Sequence, residues 1–222
     1  AAELLYAICR LPGYTCAFVP APGFSEYKAA LEASRIPVRD IYYRPREDEH
    51  GKPYFEVPYL ALETFAAELK GQDGRIIVFL GNPNNPDGTL LDKNHIRTIA
   101  SMLKDANSLL VIDESFIDFV GNDTLQDNEY SMRSLVNEFD NIIVVHSFTK
   151  FYAVPGLRIG AAFSNPLIIE QLNSFIPTWS VNTLAQSYTE AALNDVEYVK
   201  RTKQVLHEEQ LFMYNSLDTI DG

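Results

Sequence analysis

Three short runs, Ile76–Leu80, Leu109–Ile112 and Ile142–Val145, are apolar at every position. A strand with one face in water alternates polar and apolar residues, so a run without alternation is a strand covered on both faces. Thr15–Val19, Ile41–Tyr43 and Ile159–Phe163 are rich in β-branched and aromatic residues and read as further strands. Between them, residues 24–34, 59–69, 92–104 and 166–173 carry apolar side chains at helical spacing, with Ser25 and Asp92 as expected N-caps. A helix over 183–193, a short break and a long amphipathic helix over 196–217 follow. Strands alternating with helices predict an α/β domain with a mostly parallel sheet. The polar stretch Arg44–Lys52 reads as a solvated loop between a strand and a helix.

At 222 residues the chain can bury a substantial core. Its formal charge of −12 argues against nucleic acid as a partner, because phosphate backbones are bound by surplus Lys and Arg. No apolar run approaches the roughly 20 residues of a membrane span. Cys9 and Cys16 sit among apolar neighbours and read as reduced, inert thiols of a cytoplasmic protein. His50, His95 and His207 fall on expected surface segments without metal spacing, so no metal site is expected. The chain opens on Ala1-Ala2-Glu3 inside an apolar helical pattern (Leu4, Leu5, Ile8) and closes on residues 218–222 just after the long helix. Both ends read as cut, so the lack of a leader is uninformative.

In an open α/β sheet, ligands collect beyond the carboxyl ends of the strands. Three strand ends carry unusual residues. Ile76–Leu80 leads into Gly81-Asn82-Pro83-Asn84-Asn85-Pro86-Asp87-Gly88; Leu109–Ile112 leads into Asp113-Glu114; Ile142–Val145 leads into His146-Ser147-Phe148-Thr149-Lys150, with Arg158 downstream. Taken singly, each has a plainer reading: a turn, a helix cap, a surface lysine. Taken together they suit one ligand, pyridoxal 5′-phosphate (PLP). That cofactor needs an amine for its aldehyde, an acid to keep its ring nitrogen protonated, and donors for a dianionic phosphate. Lys150 is the amine, nucleophilic when burial and nearby cations lower its pKa. Asp113 is the acid. Ser147, Thr149 and Arg158 offer hydroxyls and a guanidinium fork to the phosphate, and Asn85 can donate to the ring hydroxyl. His146 should point away from Ser147 across the sheet and reads as structural.

The four segments Asn82–Gly88, Asp113-Glu114-Ser115-Phe116, Ser147-Phe148-Thr149-Lys150 and Gly156-Leu157-Arg158-Ile159-Gly160 occur in an order and at intervals that resemble the fold-type-I, class I/II aminotransferases. The resemblance implies a three-layer α/β/α large domain over residues 1–222, with an N-terminal arm and a C-terminal small domain outside it. It implies Lys150 as the lysine that holds PLP as a Schiff base, with Asp113, Asn85, Ser147, Thr149 and Arg158 in the roles above. It adds Ala1 and Ala2, at the start of a helix whose amides face the cofactor phosphate, and Phe24 as the aromatic stacked on the ring. In many relatives the residue three after the aspartate is a tyrosine that donates to the ring oxygen. Here it is Phe116, which leaves Asn85 as the main partner of that oxygen and should change the pH behaviour of the bound cofactor.

Two branches of that family share these features. Histidinol-phosphate aminotransferases share the Asn-rich turn and the Gly-Leu-Arg segment. L-threonine-O-3-phosphate decarboxylases of cobalamin synthesis resemble the chain more closely in Asp113–Phe119, Thr149–Arg158, Pro177–Asn182 and Pro22–Tyr27. The resemblance therefore favours a decarboxylase-like enzyme acting on a small amino acid or amino phosphate, with the aminotransferase as the alternative. In either, the bond held perpendicular to the ring is the one that breaks, so orientation decides the outcome. A homodimer is expected of the full-length protein, and neither nucleic acid nor membrane is an expected partner. A remoter expectation is a PLP-binding regulatory domain of a transcription factor, since fold does not fix function.

Overall fold

The computed structural model describes residues 1–69, 74–121, 128–217 and 219–220; of the closing segment, Asp218, Asp221 and Gly222 lie outside them. In chain order the elements are helix α1 (Ala2–Ile8), strand β1 (Tyr14–Ala21), α2 (Glu26–Ala33), β2 (Val38–Tyr42), β3 (Arg44–Glu47), β4 (Pro53–Glu56), α3 (Tyr59–Glu68), β5 (Arg75–Gly81), α4 (Lys93–Asp105), β6 (Leu109–Glu114), β7 (Ile142–Ser147), β8 (Gly160–Phe163), α5 (Pro166–Phe175), α6 (Thr183–Leu193) and α7 (Val196–Leu217). Short 3-10 turns cover Ile117–Phe119, Arg133–Asn137 and Pro155–Leu157.

The main sheet runs in the order β2-β1-β5-β6-β7-β8. Every neighbouring pair is parallel except β7 with β8. The apolar runs occupy β5, β6 and β7 at its centre, and their successive side chains go to opposite faces. Ile77, Phe79, Leu109, Val111, Ile143 and Val145 pack with Leu5 and Ile8 of α1, Tyr27 and Leu31 of α2, and Leu172 of α5. Val78, Leu80, Leu110, Ile112, Ile142 and Val144 pack with Leu62 of α3, Ile96, Ile99 and Leu103 of α4, and Leu135. The result is the expected three-layer α/β/α arrangement. Each of these central side chains is almost wholly buried, which is worth about 1.5–3 kcal/mol apiece relative to exposure. This dry slab fixes the positions of the strand ends.

Local signals held unevenly. Asp92 caps α4, its Oδ1 accepting from the amides of Asn94 and His95 at 2.9 Å each. Ser25 does not cap α2: its own φ/ψ is already helical, so its hydroxyl makes no cap bond. The edge strand β2 begins earlier than Ile41, because pairing with Ala17–Ala21 recruits Val38–Asp40. Arg44–Lys52 is not simply a loop. Arg44–Glu47 pairs antiparallel with Pro53–Glu56, and Arg46 Nε bonds Glu56 Oε2 at 2.9 Å. This hairpin is exposed along β3, so it carries no alternation by which hydrophobic periodicity could find it. Cys9 is buried and Cys16 half-buried, both free.

Candidate active site

The carboxyl ends of β5, β6 and β7 lie side by side, with Gly81 paired to Asp113 and Asp113 to Val145. After β5 the Asn/Pro/Gly segment is a turn closed by its own side chains. Asn82 Nδ2 donates to Tyr130 O at 2.8 Å, and its Oδ1 accepts from Leu91 N at 3.1 Å. Asn84 Nδ2 reaches back to Pro22 O at 3.0 Å and also bonds Asp87. Gly81 is required by this fold-back, since a Cβ there would stand 2.8 Å from Asn84 Cα. The turn and site readings are thus compatible: the segment is a rigid turn with half-buried Asn85 at its tip.

Asp113 is buried, and both carboxylate oxygens are engaged. Oδ1 accepts from the Ser115 amide at 2.9 Å and Oδ2 from the Tyr27 hydroxyl at 3.0 Å. The first bond is the local, cap-like one that the plain reading foresaw. The second crosses 86 positions of sequence. A carboxylate has about four acceptor sites, so Asp113 retains capacity for a donor arriving from the cleft. Burial and the neighbouring Asp113 push the Tyr27 phenol well above its ordinary pKa, so it stays a donor.

From β7 the chain turns sharply, with Ala153 N bonding Lys150 O and Val154 N bonding Thr149 O. Ser147 Oγ and Thr149 Oγ1 are 2.9 Å apart, and Lys150 Nζ donates to Ser147 Oγ at 3.4 Å. Lys150 Nζ also lies 5.2 Å from the centre of the Phe116 ring. Burial, with Arg158 nearby, lowers the Lys150 ammonium below its ordinary pKa, against the opposing pull of Asp113. The residues just after it are fastened from behind, Tyr198 of α7 donating to Phe151 O at 2.8 Å and Tyr188 of α6 to Tyr152 O at 3.3 Å. Arg158 is exposed in a left-handed conformation, and its Nη1 bonds Pro155 O at 2.9 Å.

These groups share one cleft of about 860 Å³. Ala1, Ala2, Phe24, Asp113, Ser147, Thr149, Lys150 and Arg158 all line it. Asn85 lines a smaller adjoining recess of about 50 Å³ with Phe24, Tyr27, Asp113, Phe116 and Lys150. The start of α1 reaches this place because Gly160 has no side chain: a Cβ there would lie 2.7 Å from Ala1 N. All the candidate residues are therefore brought together. The amine and the acid face one volume beside a hydroxyl pair and a guanidinium, the donor set that PLP chemistry requires.

Two features lay beyond the sequence reading. Tyr27 was visible only as part of a resembling segment; its spacing of three from Phe24 puts both on one side of the α2 entrance, and nothing local announces Asp113 as its partner. The second is a buried network behind the sheet. Glu114 accepts from Ser131 Oγ at 2.7 Å, Met132 N at 2.5 Å and Asn82 Nδ2 at 3.3 Å. His146, pointing away from Ser147 as strand alternation requires, has Nε2 2.9 Å from Asp118 Oδ2. His50, His95 and His207 are exposed, and no group of His, Cys, Asp and Glu among the described residues could hold a metal ion. No helix among those residues is long and apolar enough to cross a membrane.

The sequence profile of aminotransferase class I and II matches residues 1–222. The chain belongs to that family. Members of the class I and II aminotransferases are PLP-dependent enzymes. Similar curated proteins include the adenosylcobalamin biosynthesis bifunctional protein CobDQ of Leptospira interrogans, 34% identical over 205 residues (92% of this chain, 22% of that protein). The threonine-phosphate decarboxylase of Salmonella typhimurium is 32% identical over 207 residues (90% and 50%). The histidinol-phosphate aminotransferase of Methanothermobacter thermautotrophicus is 30% identical over 199 residues (90% and 47%). The chain thus spans about half the length of the last two and less of the first. Among solved structures, histidinol-phosphate aminotransferase from Clostridium acetobutylicum superposes with a TM-score of 0.82 at 21% identity (99% of this chain, 60% of that one). The PLP-bound C-S lyase from Staphylococcus hominis does so at 0.78 and 18% (97% and 54%). These structural likenesses establish the fold.

Proposed function

We propose that this chain is the PLP-holding large domain of a longer enzyme that decarboxylates a small phosphorylated amino acid, in the manner of L-threonine-O-3-phosphate decarboxylase. The observation that carries the cofactor assignment is the Lys150 amine and the Asp113 carboxylate on one cleft. When bound, PLP supplies an electron sink for cleavage of a bond at the carbon that bears the substrate amine.

The chain's own residues divide the remaining work. Lys150 Nζ is the amine that takes the cofactor's aldehyde, and its lowered pKa keeps more of it neutral and nucleophilic. Released by the substrate amine, the same nitrogen is placed to carry a proton over a short distance. Asp113, held by Tyr27 and the Ser115 amide, would meet the ring nitrogen of the cofactor and keep its proton in place. Phe24 would cover the ring, and Asn85, which lines the adjoining recess, would donate to the ring oxygen. Ser147, Thr149, Arg158 and the backbone at Ala1 and Ala2 would hold the phosphate.

The decarboxylase reading is supported by the relatives named for cobalamin biosynthesis and threonine phosphate, and by Phe116 in place of a tyrosine. The threonine-phosphate and histidinol-phosphate relatives align over equal shares of the chain, so transamination of histidinol phosphate is the second reading. We propose that a C-terminal small domain of the full-length protein supplies the arginine that grips the substrate carboxylate, and that the full-length protein is a homodimer. Without those parts, the 222 residues alone should bind PLP weakly and turn over poorly. The test is carbon dioxide release from O-phospho-L-threonine by the full-length, PLP-loaded protein. Rapid release that is lost in Lys150→Ala supports decarboxylation. Glutamate formed from histidinol phosphate and 2-oxoglutarate, without that release, makes it an aminotransferase.

A further inference from the structure

We infer that Tyr27 is a positioning residue of the cofactor site, acting through Asp113 to set how strongly the ring nitrogen is held in its protonated form. The inference rests on the PLP reading of the cleft and deepens it. Asp113 receives two bonds, and they differ in kind. The Ser115 amide is main chain and follows from the turn after β6. The Tyr27 hydroxyl comes from α2, on the helical layer, and is a bond the sequence can tune by one atom.

The phenol is held rigidly for this purpose. Tyr27 is 2% exposed. Its ring stacks on Phe79 of β5 at 5.3 Å between centroids and meets Phe24 edge-on at 5.6 Å and 88°. A ring clamped between two others loses little further freedom in making its bond, so the hydrogen bond to a buried carboxylate is worth close to its full value. The same clamp joins Phe24, which covers the ligand ring, to Asp113, which meets its edge. Burial and Asp113 keep the phenol protonated, so it donates across the whole working range of pH.

A hydrogen bond donated to a carboxylate stabilises its charged form. Without the Tyr27 hydroxyl, the Asp113 charge would lose one of its two donors and would draw the ring proton toward itself. The ring's positive charge would then weaken, and the nitrogen that Lys150 would contribute would keep its own proton to higher pH.

The test compares PLP affinity and the pH midpoint of bound-cofactor absorbance in full-length wild type, Tyr27→Phe, Asp113→Asn and the double variant. Tyr27→Phe is expected to weaken PLP binding by roughly threefold, less than the worth of a whole hydrogen bond to a charged group, because the bond to Asp113 already exists before the cofactor arrives. It should also raise the absorbance midpoint by roughly half a unit or more. In the Asp113→Asn background the same change should have little further effect, within about twofold, because coupling is confined to residues in contact. Unchanged affinity and midpoint in Tyr27→Phe would overturn the inference. So would an equal loss in both backgrounds, which would mark Tyr27 as packing alone. If wild type shows no absorbance band that depends on Lys150, the PLP reading itself fails and takes the inference with it.

Discussion

Strands β6 and β7 each end on two adjacent polar residues, and the two faces of the sheet treat them differently. Asp113 and Ser147 point to the side of α1, α2 and α5, where they border an open cleft of about 860 Å³. Glu114 and His146 point the other way, where both are at most 2% exposed. Glu114 already has three donors, and His146 is closed against Asp118. Burial raises the Glu114 pKa, while its donors oppose the shift. On the cleft side, by contrast, Lys150 is solvent-accessible and Asp113 keeps free acceptor capacity. Chemistry toward a ligand requires groups whose bonding is incomplete. Behind the sheet Glu114 is satisfied by three donors, and His146, though its Nδ1 lacks a partner, is sealed from solvent; this network holds the strand ends and the Asn-rich turn in register.

The contrast breaks most sharply at Lys150. Lys150→Ala should lower activity by about 10³-fold or more while leaving the melting temperature nearly unchanged, since it removes the only nucleophile assigned to the cleft. Activity assays beside thermal melts check both halves. Glu114→Ala should do the reverse. It strands the Ser131 hydroxyl and the Met132 amide and removes the weaker of two acceptors from Asn82 Nδ2, at a cost of about 3–5 kcal/mol. That corresponds to a fall in melting temperature of roughly 10 °C, with activity per folded molecule largely retained at low temperature. A Glu114→Ala protein of normal stability but lost activity would erase the distinction between the faces.

Acidity sharpens the comparison further. The amine of Lys150 must be neutral to take an aldehyde, and its pKa is lowered from 10.5, first by burial. The rate of PLP capture should therefore rise with pH to a midpoint below that value, which stopped-flow absorbance can follow. A midpoint at or above it would mean that the cleft does not tune the lysine. The smallest effect is expected of Phe116→Tyr. A phenol there would add a donor near the ring oxygen, lowering the absorbance midpoint of the bound cofactor by roughly half a unit or more. Stability should stay within about 0.5 kcal/mol, provided the hydroxyl finds the recess between Asn85 and Lys150.

What could be read from sequence follows from the same geometry. The β5, β6 and β7 runs announced themselves because burial on both faces abolishes alternation, and their first polar residues then fell at the cleft. His146 could be assigned to the far side because side-chain direction in a strand has a period of two. The Tyr27–Asp113 bond was hidden, since it joins residues far apart in the chain through a packing arrangement that no local pattern encodes. The β3–β4 hairpin was hidden for another reason: β3 is exposed along its whole length and leaves no hydrophobic signature. Ser25 shows the limit of cap rules, which identify a competent side chain but not whether the backbone at that position has already become helical.

The central claim is that Lys150 is the lysine that takes the cofactor. It is tested most directly by borohydride reduction of the full-length, PLP-loaded protein followed by peptide mass spectrometry. The account predicts a stable pyridoxyl adduct on the peptide containing Lys150, and its loss in Lys150→Ala. An adduct of equal yield on another lysine, such as Lys28 or Lys93, or no adduct in a protein that retains bound PLP, would contradict it.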